Sequence, residues 1–327
     1  MFHRFFILLI LCSVLSAENS YQLGEGVQID ELPIFVGGYI STDYRYKDEE
    51  HRFRVDDIAL LSYGNYKALS YMAEVEFKEF YVLTQDKDST HTEQDNKLYI
   101  ERLYLDYAFS DALIGRAGKY NTPIGFWNLL PINILRDTSS NPITNELLYP
   151  KFTTGFGMEY NSFDEGEFKL DLMLQHNDSL DNDYNNYEID AHYGLGLSYE
   201  YDSYLIKLNT GYFHKINILE DDFAYALLSG KYEDDMYKLM GEFGSQYSKE
   251  KSDFIYSGYL QGLYHFNDKH AGILRLEYLN NTDSIDDNIA VFAYTYRPLY
   301  AIALKSEYQL HSKDDSDQFI FSFSVLF

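Results

Sequence analysis

Several residue types are scarce in this 327-residue sequence, and each shortage excludes a class of protein or site. The only cysteine, Cys12, lies within the first 17 residues, so the rest of the chain has neither a disulfide framework nor thiolate ligands for a metal. No apolar run after residue 17 reaches the roughly 20 residues of a membrane-spanning helix. Lysine and arginine number 26 against 52 acidic residues, which gives a formal net charge of −26, and they form no dense cluster. Because phosphate binding requires such a cluster, nucleic acid is excluded as a partner.

The N-terminal residues predict export. A short basic start, an apolar run over residues 5–15 and the small residues Ser16 and Ala17 have the form of a secretory signal peptide, residues 1–17. The apolar run is too short to span a bilayer as a helix. A lipoprotein site at Cys12 is the weaker alternative, because the residues before it lack the small side chains expected there. Residues 18–31 then form a short periplasmic segment before the first predicted strand.

Aromatic residues are abundant, with 33 tyrosines and 23 phenylalanines, and much of the chain alternates apolar and polar residues. Alternating sets include residues 69–77, 103–109, 168–174, 193–199, 204–208, 274–278 and 319–327. This period is typical of strands with one apolar face. Each segment spans roughly ten residues, the length with which a tilted strand crosses a bilayer. A soluble β-sandwich with one solvated face has the same alternation, so the pattern alone leaves both folds open.

The breaks between these segments favour a membrane barrel. Seven short turns lie near residues 64–65, 110–111, 164–166, 201–203, 233–235, 267–269 and 297–298. They alternate with eight longer polar breaks near residues 47–51, 84–96, 120–152, 177–187, 216–222, 247–253, 280–288 and 312–317. Short periplasmic turns alternating with long external loops are typical of outer-membrane barrels, in which closure satisfies every backbone group. We therefore predict one all-β domain, residues 32–327: a transmembrane, antiparallel, up-and-down β-barrel of sixteen strands, with fourteen as the alternative count.

The longest break, residues 120–152, loses the alternation seen elsewhere. Pro123 and Pro131 prevent it from continuing as a ladder strand. Many of its residues are apolar, among them the only tryptophan, so neither disorder nor full exposure to water is favourable. We expect this third external loop to fold inward and to pack against the inner wall of the barrel through Pro123, Gly125, Trp127 and Pro131.

Two fragments resemble those of a known family. The run Arg116–Gly125, RAGKYNTPIG, resembles the strand-to-loop junction R-x-G-(K/R/Q)-x-x-x-P-(I/F)-G of the phosphate-selective (O/P-type) porins. The C-terminal FSFSVLF, ending at Phe327, resembles the terminal signature of outer-membrane barrels. The resemblance implies a sixteen-stranded channel in the bacterial outer membrane, in contact with its lipid and usually a homotrimer, whose third external loop folds inward. It also implies recognition of Phe327 by the barrel assembly machinery.

The charge pattern departs from that family. Its anion-selective members carry a dense ladder of basic residues along the pore, whereas alternation here sends both signs to the lumen. The basic set is Lys78, Arg102, Arg116, Lys169, Lys207, Lys238, Arg275, Arg297 and Lys305. The acidic set is Glu74, Glu76, Asp106, Asp171, Glu200, Glu242, Glu277 and Glu307. Selectivity for anions or cations therefore stays open.

Seven charged residues form the predicted pore constriction: Arg102, Asp106, Arg116, Lys119, Arg136, Asp137 and Glu146. Arg102 and Arg116 fall on consecutive strands joined by a short turn, so both can reach a similar height in the lumen. With Lys119 and Arg136 they can form a basic strip opposite the acidic residues of the loop. Such opposed charges create a transverse field that orients solutes. In the alternative interpretation, Arg116 pairs with Asp106 and holds the loop.

The predicted function is passive diffusion of small hydrophilic solutes or ions through a lumen narrowed by residues 120–152. The acidic loop runs lack the D-x-D-x-D-G spacing of a calcium loop. The histidines are scattered and no G-x-S-x-G motif is present, which leaves His176 as a weak candidate base. We therefore predict no metal, no cofactor and no catalytic residue. Two alternatives stay open: a surface-exposed adhesion or structural barrel with a closed lumen, and a barrel hydrolase.

Overall fold

The computed structural model describes residues 23–24, 26–29, 31–163, 165–216, 221–281, 286–313 and 316–327. The predicted signal peptide, residues 1–17, lies outside the described residues, and so does part of the predicted periplasmic segment, residues 18–31. In the described part of the chain, no helix has the length and the apolar character needed to cross a membrane.

Sixteen long strands make up most of the described chain. Their bounds are β1 (Ile34–Lys47), β2 (Glu50–Tyr66), β3 (Leu69–Gln85), β4 (Tyr99–Ser110), β5 (Leu113–Asn121), β6 (Phe152–Phe163), β7 (Glu167–His176), β8 (Ile189–Tyr201), β9 (Tyr204–Lys215), β10 (Asp221–Glu233), β11 (Tyr237–Ser248), β12 (Asp253–Asn267), β13 (His270–Asn281), β14 (Asp287–Leu299), β15 (Ile302–His311) and β16 (Gln318–Leu326). Two short strands, Val27–Gln28 and Thr90–Glu93, pair with β1 and β3. Among the described residues, the helical elements are three single-turn 3-10 helices (Trp127–Leu129, Asn133–Leu135 and Asn182–Tyr184) and one short α-helix, α1 (Ile143–Leu147).

The sheet closes on itself. Each long strand pairs antiparallel with the next, and β16 pairs with β1 over Phe319–Leu326. Just beyond this seam, the backbone N–H groups of Gly38 and Phe327 each donate to the other's carbonyl oxygen at 2.8 Å. Closure gives every strand two hydrogen-bonded neighbours, which lipid requires. The prediction of a sixteen-stranded antiparallel barrel is confirmed, and the alternative count of fourteen is wrong.

The two faces of the barrel wall differ in polarity. On β13, Leu274, Leu276 and Tyr278 are 45%, 52% and 43% exposed, whereas Arg275 and Glu277 between them are 0% and 6% exposed. Apolar side chains thus point outward and charged ones inward, the reverse of a water-soluble protein. Buried members of the predicted lumen set are Glu74, Glu76, Asp171, Lys207, Glu242, Arg275, Glu277, Lys305 and Glu307. Glu200 is exposed instead.

The connections alternate between the two ends of the barrel. At one end they are residues 67–68, 111–112, 164–166, 202–203, 234–236, 268–269 and 300–301. At the other end they are residues 48–49, 86–98, 122–151, 177–188 and 249–252, and the strand ends at Lys215 and Asp221, at Asn281 and Asp287, and at His311 and Gln318 also lie there. The break at 47–51 is therefore not the longer loop that its charged residues indicate. Asp48 and Glu49 form a two-residue turn with φ of 46° and 67°, a left-handed conformation that suits a tight hairpin.

Candidate functional site

Gly118 marks the point at which β5 leaves strict alternation. Its φ is +130°, and a Cβ there would lie 2.2 Å from a backbone carbonyl oxygen of β4, so only glycine fits. The next two residues, Lys119 and Tyr120, are both buried although they are consecutive. Lys119 Nζ donates to the carbonyl oxygens of Ile100 at 2.9 Å and Asp181 at 3.1 Å. The junction that resembles the porin motif is thus an irregular end of β5, at which Gly118 interrupts the alternation and Lys119 is buried.

The long segment, residues 122–151, starts and ends at one point. The backbone N–H of Thr122 donates to Lys151 O at 2.9 Å, and Thr122 Oγ1 donates to Pro150 O at 2.8 Å. Asn128 Nδ2 also donates to the carbonyl oxygens of Thr122 at 2.8 Å and Lys151 at 2.9 Å. The segment is therefore a closed loop whose two ends are adjacent.

Side chains of β9 and β11 bind the first turn of the long segment. The backbone N–H of Gly125 donates to Asn209 Oδ1 at 3.0 Å, and Lys207 Nζ donates to Gly125 O at 3.2 Å. The backbone N–H of Phe126 donates to the Glu242 carboxylate. Gly125 has a φ of +63°, and a Cβ there would lie 2.6 Å from Glu242 Oε1. Glycine therefore allows the backbone to approach this close to the wall.

Trp127 packs between the rest of the long segment and the barrel wall. It is 1% exposed, its ring meets that of Tyr259 edge-on at 6.4 Å between centroids, and the Arg275 guanidinium lies 5.4 Å from its ring centroid. Trp127 Nε1 donates to Asn141 Oδ1 at 2.9 Å, so the polar end of the ring also has a partner. The only tryptophan of the chain thus joins the segment to β12 and β13.

Arg275 and Glu277 on β13 bind the middle of the long segment. Arg275 donates from Nη1 to Thr138 Oγ1 at 2.6 Å and from Nη2 to Ser140 Oγ at 2.7 Å. Glu277 Oε2 accepts a hydrogen bond from the backbone N–H of Ile143 at 2.8 Å. Arg275 Nε and Glu277 Oε1 also pair at 2.7 Å. The two charges neutralise each other while each still holds the segment.

Further contacts with the long segment come from β15. Lys305 Nζ donates to Asn133 Oδ1 at 2.9 Å and to Thr138 O at 3.3 Å. The backbone N–H of Ser139 donates to Glu307 Oε2 at 3.0 Å. A buried charge is unfavourable without hydrogen-bond partners, and the long segment supplies them here. Arg297 on β14 also donates to Arg136 O at 2.9 Å, so the charged contacts of the segment lie on β9, β11, β13, β14 and β15.

A cavity of about 480 Å³ lies between the long segment and the barrel wall, where residues of β1–β4 and of β13–β16 line it. Its charged lining on the strands is Arg45, Arg54, Asp56, Asp57, Glu76, Lys78, Glu101 and Glu277, and on the segment Arg136, Glu146 and Lys151. Arg54 is already paired with Asp56 at 3.1 Å and with Asp43. A cavity of this size and polarity can hold a small hydrophilic solute or several waters.

Glu146 and Lys151 form an ion pair at the edge of this cavity. Lys151 Nζ lies 3.0 Å from Glu146 Oε2, and Asn141 Nδ2 donates to Glu146 Oε1 at 2.6 Å. Burial raises the pKa of Glu146, but the Lys151 charge and the Asn141 amide outweigh it and hold the pKa below its usual value. Burial lowers the pKa of Lys151 despite the attraction of Glu146. The carboxylate is therefore ionised at neutral pH.

Comparison with known proteins identifies the architecture. No protein-family model matches the sequence, and no curated protein matches it. Solved structures do match. Salmonella typhi OmpF in complex with daunomycin has 10% identity and a TM-score of 0.64, with 95% of this chain and 100% of that chain covered. Outer-membrane-expressed OmpT of Vibrio cholerae has 11% identity and a TM-score of 0.62 over the same fractions, 95% and 100%. The anion-selective porin from Comamonas acidovorans has 11% identity and a TM-score of 0.64, with 90% and 99% covered.

The chain has the porin fold. At identities this low, the likeness concerns the fold alone. Within the fold, His176, the candidate base, ends β7 with Nδ1 2.8 Å from the Tyr193 hydroxyl. No group of histidine, cysteine or acidic side chains among the described residues could hold a metal ion.

The charged residues of the predicted constriction have different surroundings in this porin fold. Arg116 and Asp106 pair through two hydrogen bonds of 2.7 Å, and the Arg116 guanidinium lies 4.2 Å from the Tyr104 ring centroid. Arg102 pairs with Glu74. Arg136 and Glu146 line the cavity, and Asp137 pairs with Lys238 at 2.9 Å. The structure thus brings Arg136 and Glu146 together but gives Arg102, Arg116 and Asp137 partners of their own.

The predicted packing residues all take part in contacts of the long segment. Pro123 O accepts a hydrogen bond from Asn209 Nδ2 at 3.1 Å, and Pro131 O accepts one from Arg136. Gly125 and Trp127 contact the wall as described above. Asp57 and Glu101 line the cavity but were not among the predicted site residues. Glu101 escaped the alternation rule because a register shift between β3 and β4 falls beside it.

Proposed function

We propose that this protein is a porin of the bacterial outer membrane, through which small hydrophilic solutes or ions diffuse passively. One observation carries the proposal: the closed barrel is apolar on its outer face and polar on its inner face, and a polar cavity adjoins the long segment. An apolar band faces lipid in such barrels, while the polar lumen conducts. The solved neighbours support this interpretation, since one is an anion-selective porin.

The long segment is the proposed constriction. Its charged contacts lie on β9, β11, β13, β14 and β15, and the cavity lies between the segment and the wall at β1–β4 and β13–β16. A segment held in this way narrows the lumen and leaves the cavity as the narrow part of the passage. The predicted residues Arg136 and Glu146 border that passage, whereas Arg102, Arg116, Asp106, Lys119 and Asp137 support its surroundings.

The proposal extends to the assembly and the selectivity of the pore. A homotrimer follows from the family resemblance, and one neighbour, OmpT of Vibrio cholerae, has a trimer form. Phe327 sits at the seam of the barrel, where the assembly machinery could recognise it. The cavity lining carries both signs of charge, which favours a weakly selective pore over the phosphate-selective type.

Purified protein added to planar lipid bilayers should raise the conductance in discrete steps. The physical reason is that a water-filled lumen offers ions a continuous polar path across the bilayer. Single-channel recording in potassium chloride measures this directly, with detergent buffer and heat-unfolded protein as controls. Correctly folded barrels that give no steps would contradict the proposal and favour the closed-lumen adhesion or structural barrel.

Replacing Arg136 should make the pore more selective for cations. Its guanidinium donates to Leu130 O at 2.8 Å and to Pro131 O, borders the cavity and forms no ion pair with any described carboxylate. Its charge therefore acts on passing ions. The reversal potential in a salt gradient should shift toward cations for Arg136→Ala. The double variant Arg116→Ala/Asp106→Asn removes a neutral pair and should leave the potential unchanged; equal shifts in both variants would refute this assignment.

A further inference from the structure

The wall of the cavity opposite the long segment carries carboxylates that lack a cationic partner. Asp57 accepts a hydrogen bond from Ser41 Oγ at 2.6 Å. Glu76 and Glu101 both accept from the hydroxyl of Tyr39, at 2.9 and 3.2 Å. All three line the cavity, and none forms an ion pair within the described part of the chain. We call Asp57, Glu76 and Glu101 the acidic wall.

Hydrogen bonding in the acidic wall is incomplete. Tyr39 has one hydroxyl hydrogen for two carboxylates, so it cannot serve both fully. Glu76 is 1% exposed, and its Oε1 has no hydrogen-bond partner among the described residues. Leaving a buried carboxylate oxygen without a partner is unfavourable. The site therefore has capacity for a donor that comes from the cavity.

The nearby lysines do not fill that role. Lys119 is 0% exposed and donates to backbone carbonyl oxygens. Lys78 Nζ lies 5.0 Å from the ring centroid of Tyr184, and Lys119 Nζ lies 5.2 Å from the same ring and from that of Phe152. Both rings line the cavity. The surroundings thus already accommodate ammonium groups against aromatic rings, an attraction that also serves ligand cations.

We propose that the acidic wall is a binding site for the ammonium groups of organic cations, so that amines are retained in the passage more strongly than neutral or anionic solutes of the same length. This inference rests on the proposed porin function and names its preferred solute class. A bare metal ion is a poor fit, because no described group of acidic side chains could hold one. Ammonium groups suit separated carboxylates, since each N–H donates in its own direction.

Three solutes of one chain length test the proposal on the unchanged protein. Butane-1,4-diamine, butane-1,4-diol and succinate are added to single channels in potassium chloride at neutral pH. We expect the diamine alone to interrupt the current. Block by succinate or the diol at similar concentrations would overturn the inference while leaving the porin function intact.

A variant locates the site. Asp57→Asn/Glu76→Gln/Glu101→Gln keeps the side-chain shapes and the acceptors for Tyr39 and Ser41, and we expect about tenfold weaker block by the diamine. The control variant Asp88→Asn/Asp178→Asn/Asp268→Asn removes as many charges at exposed positions. The diamine should block this variant to the same extent as the unchanged protein. Equal block in the unchanged protein and the acidic-wall variant would overturn the inference.

Calorimetric titration of the detergent-solubilised protein with butane-1,4-diamine covers two remaining cases. If the triple variant does not fold, Glu101→Gln alone should still weaken binding severalfold. If no channel steps are seen, the porin function fails, but diamine binding that depends on Glu101 would still support the acidic wall as a site. Binding unchanged by Glu101→Gln would overturn it.

Discussion

A barrel in which residues 123–150 are replaced by a two-residue glycine linker should conduct severalfold more current than the intact chain. Within the described structure, the long segment contacts lumen-facing side chains on strands from β9, at Asn209, to β15, at Glu307. Removing it exchanges a protein-filled part of the lumen for water. The backbone N–H of Thr122 already donates to Lys151 O at 2.9 Å, so the two ends can be joined without moving β5 or β6.

The charged side chains that now bind the long segment would become hydrated in the widened lumen, so the barrel should still fold. Single-channel conductance measures the effect. The matched control removes residues 89–94 from the connection between β3 and β4, which pairs along β3 at residues 90–93 and should leave the conductance unchanged. A deletion variant that folds but conducts like the intact protein would show that the segment does not limit the passage.

The fold could be predicted from the sequence because lipid imposes a simple rule. Residues that face lipid must be apolar and alternate with polar ones, so Leu274, Leu276 and Tyr278 identify both a strand and its outer face. Turns appear wherever this alternation stops. The connection between β1 and β2 was wrongly predicted as a longer loop. Its polar residues, Asp48 and Glu49, are equally typical of a tight turn and of a loop, so polarity alone does not give its length.

The candidate site could be predicted only in part, because alternation gives the face of a residue but not its partner. Arg116, on an alternating strand, and Arg136, in the long loop, were both predicted for the constriction, yet Arg116 pairs with Asp106 on the neighbouring strand while Arg136 borders the cavity. The contacts of the long segment are also distant in sequence: Gly125 and Asn209 are 84 positions apart, and Ser139 and Glu307 are 168 apart. Such pairings depend on how the closed barrel brings its strands together.

Replacing Arg275 by methionine should lower the free energy of unfolding by about 3–5 kcal/mol, because Glu277 would remain buried without its partner. Arg275 is 0% exposed, and its loss also removes the hydrogen bonds to Thr138 Oγ1 and Ser140 Oγ. Urea titration in detergent, followed by the fluorescence of Trp127, measures the change. This residue is the only tryptophan and lies against Arg275, so its emission should also shift to the red if the long segment loosens.

The companion variant Glu277→Gln separates loss of the pair from loss of the contact with the segment. If the two charges act as a unit, the double variant Arg275→Met/Glu277→Gln should cost less than the sum of the single changes, by about 0.5–3 kcal/mol. Lys231→Met is the control, because Lys231 pairs with Glu233 at 3.0 Å where both are partly exposed, and such pairs contribute about 0–1 kcal/mol. Additive losses of unfolding free energy at Arg275 and Glu277 would mean that each side chain holds the long segment independently. They would also mean that the charge left behind in a single variant is hydrated and not buried without a partner.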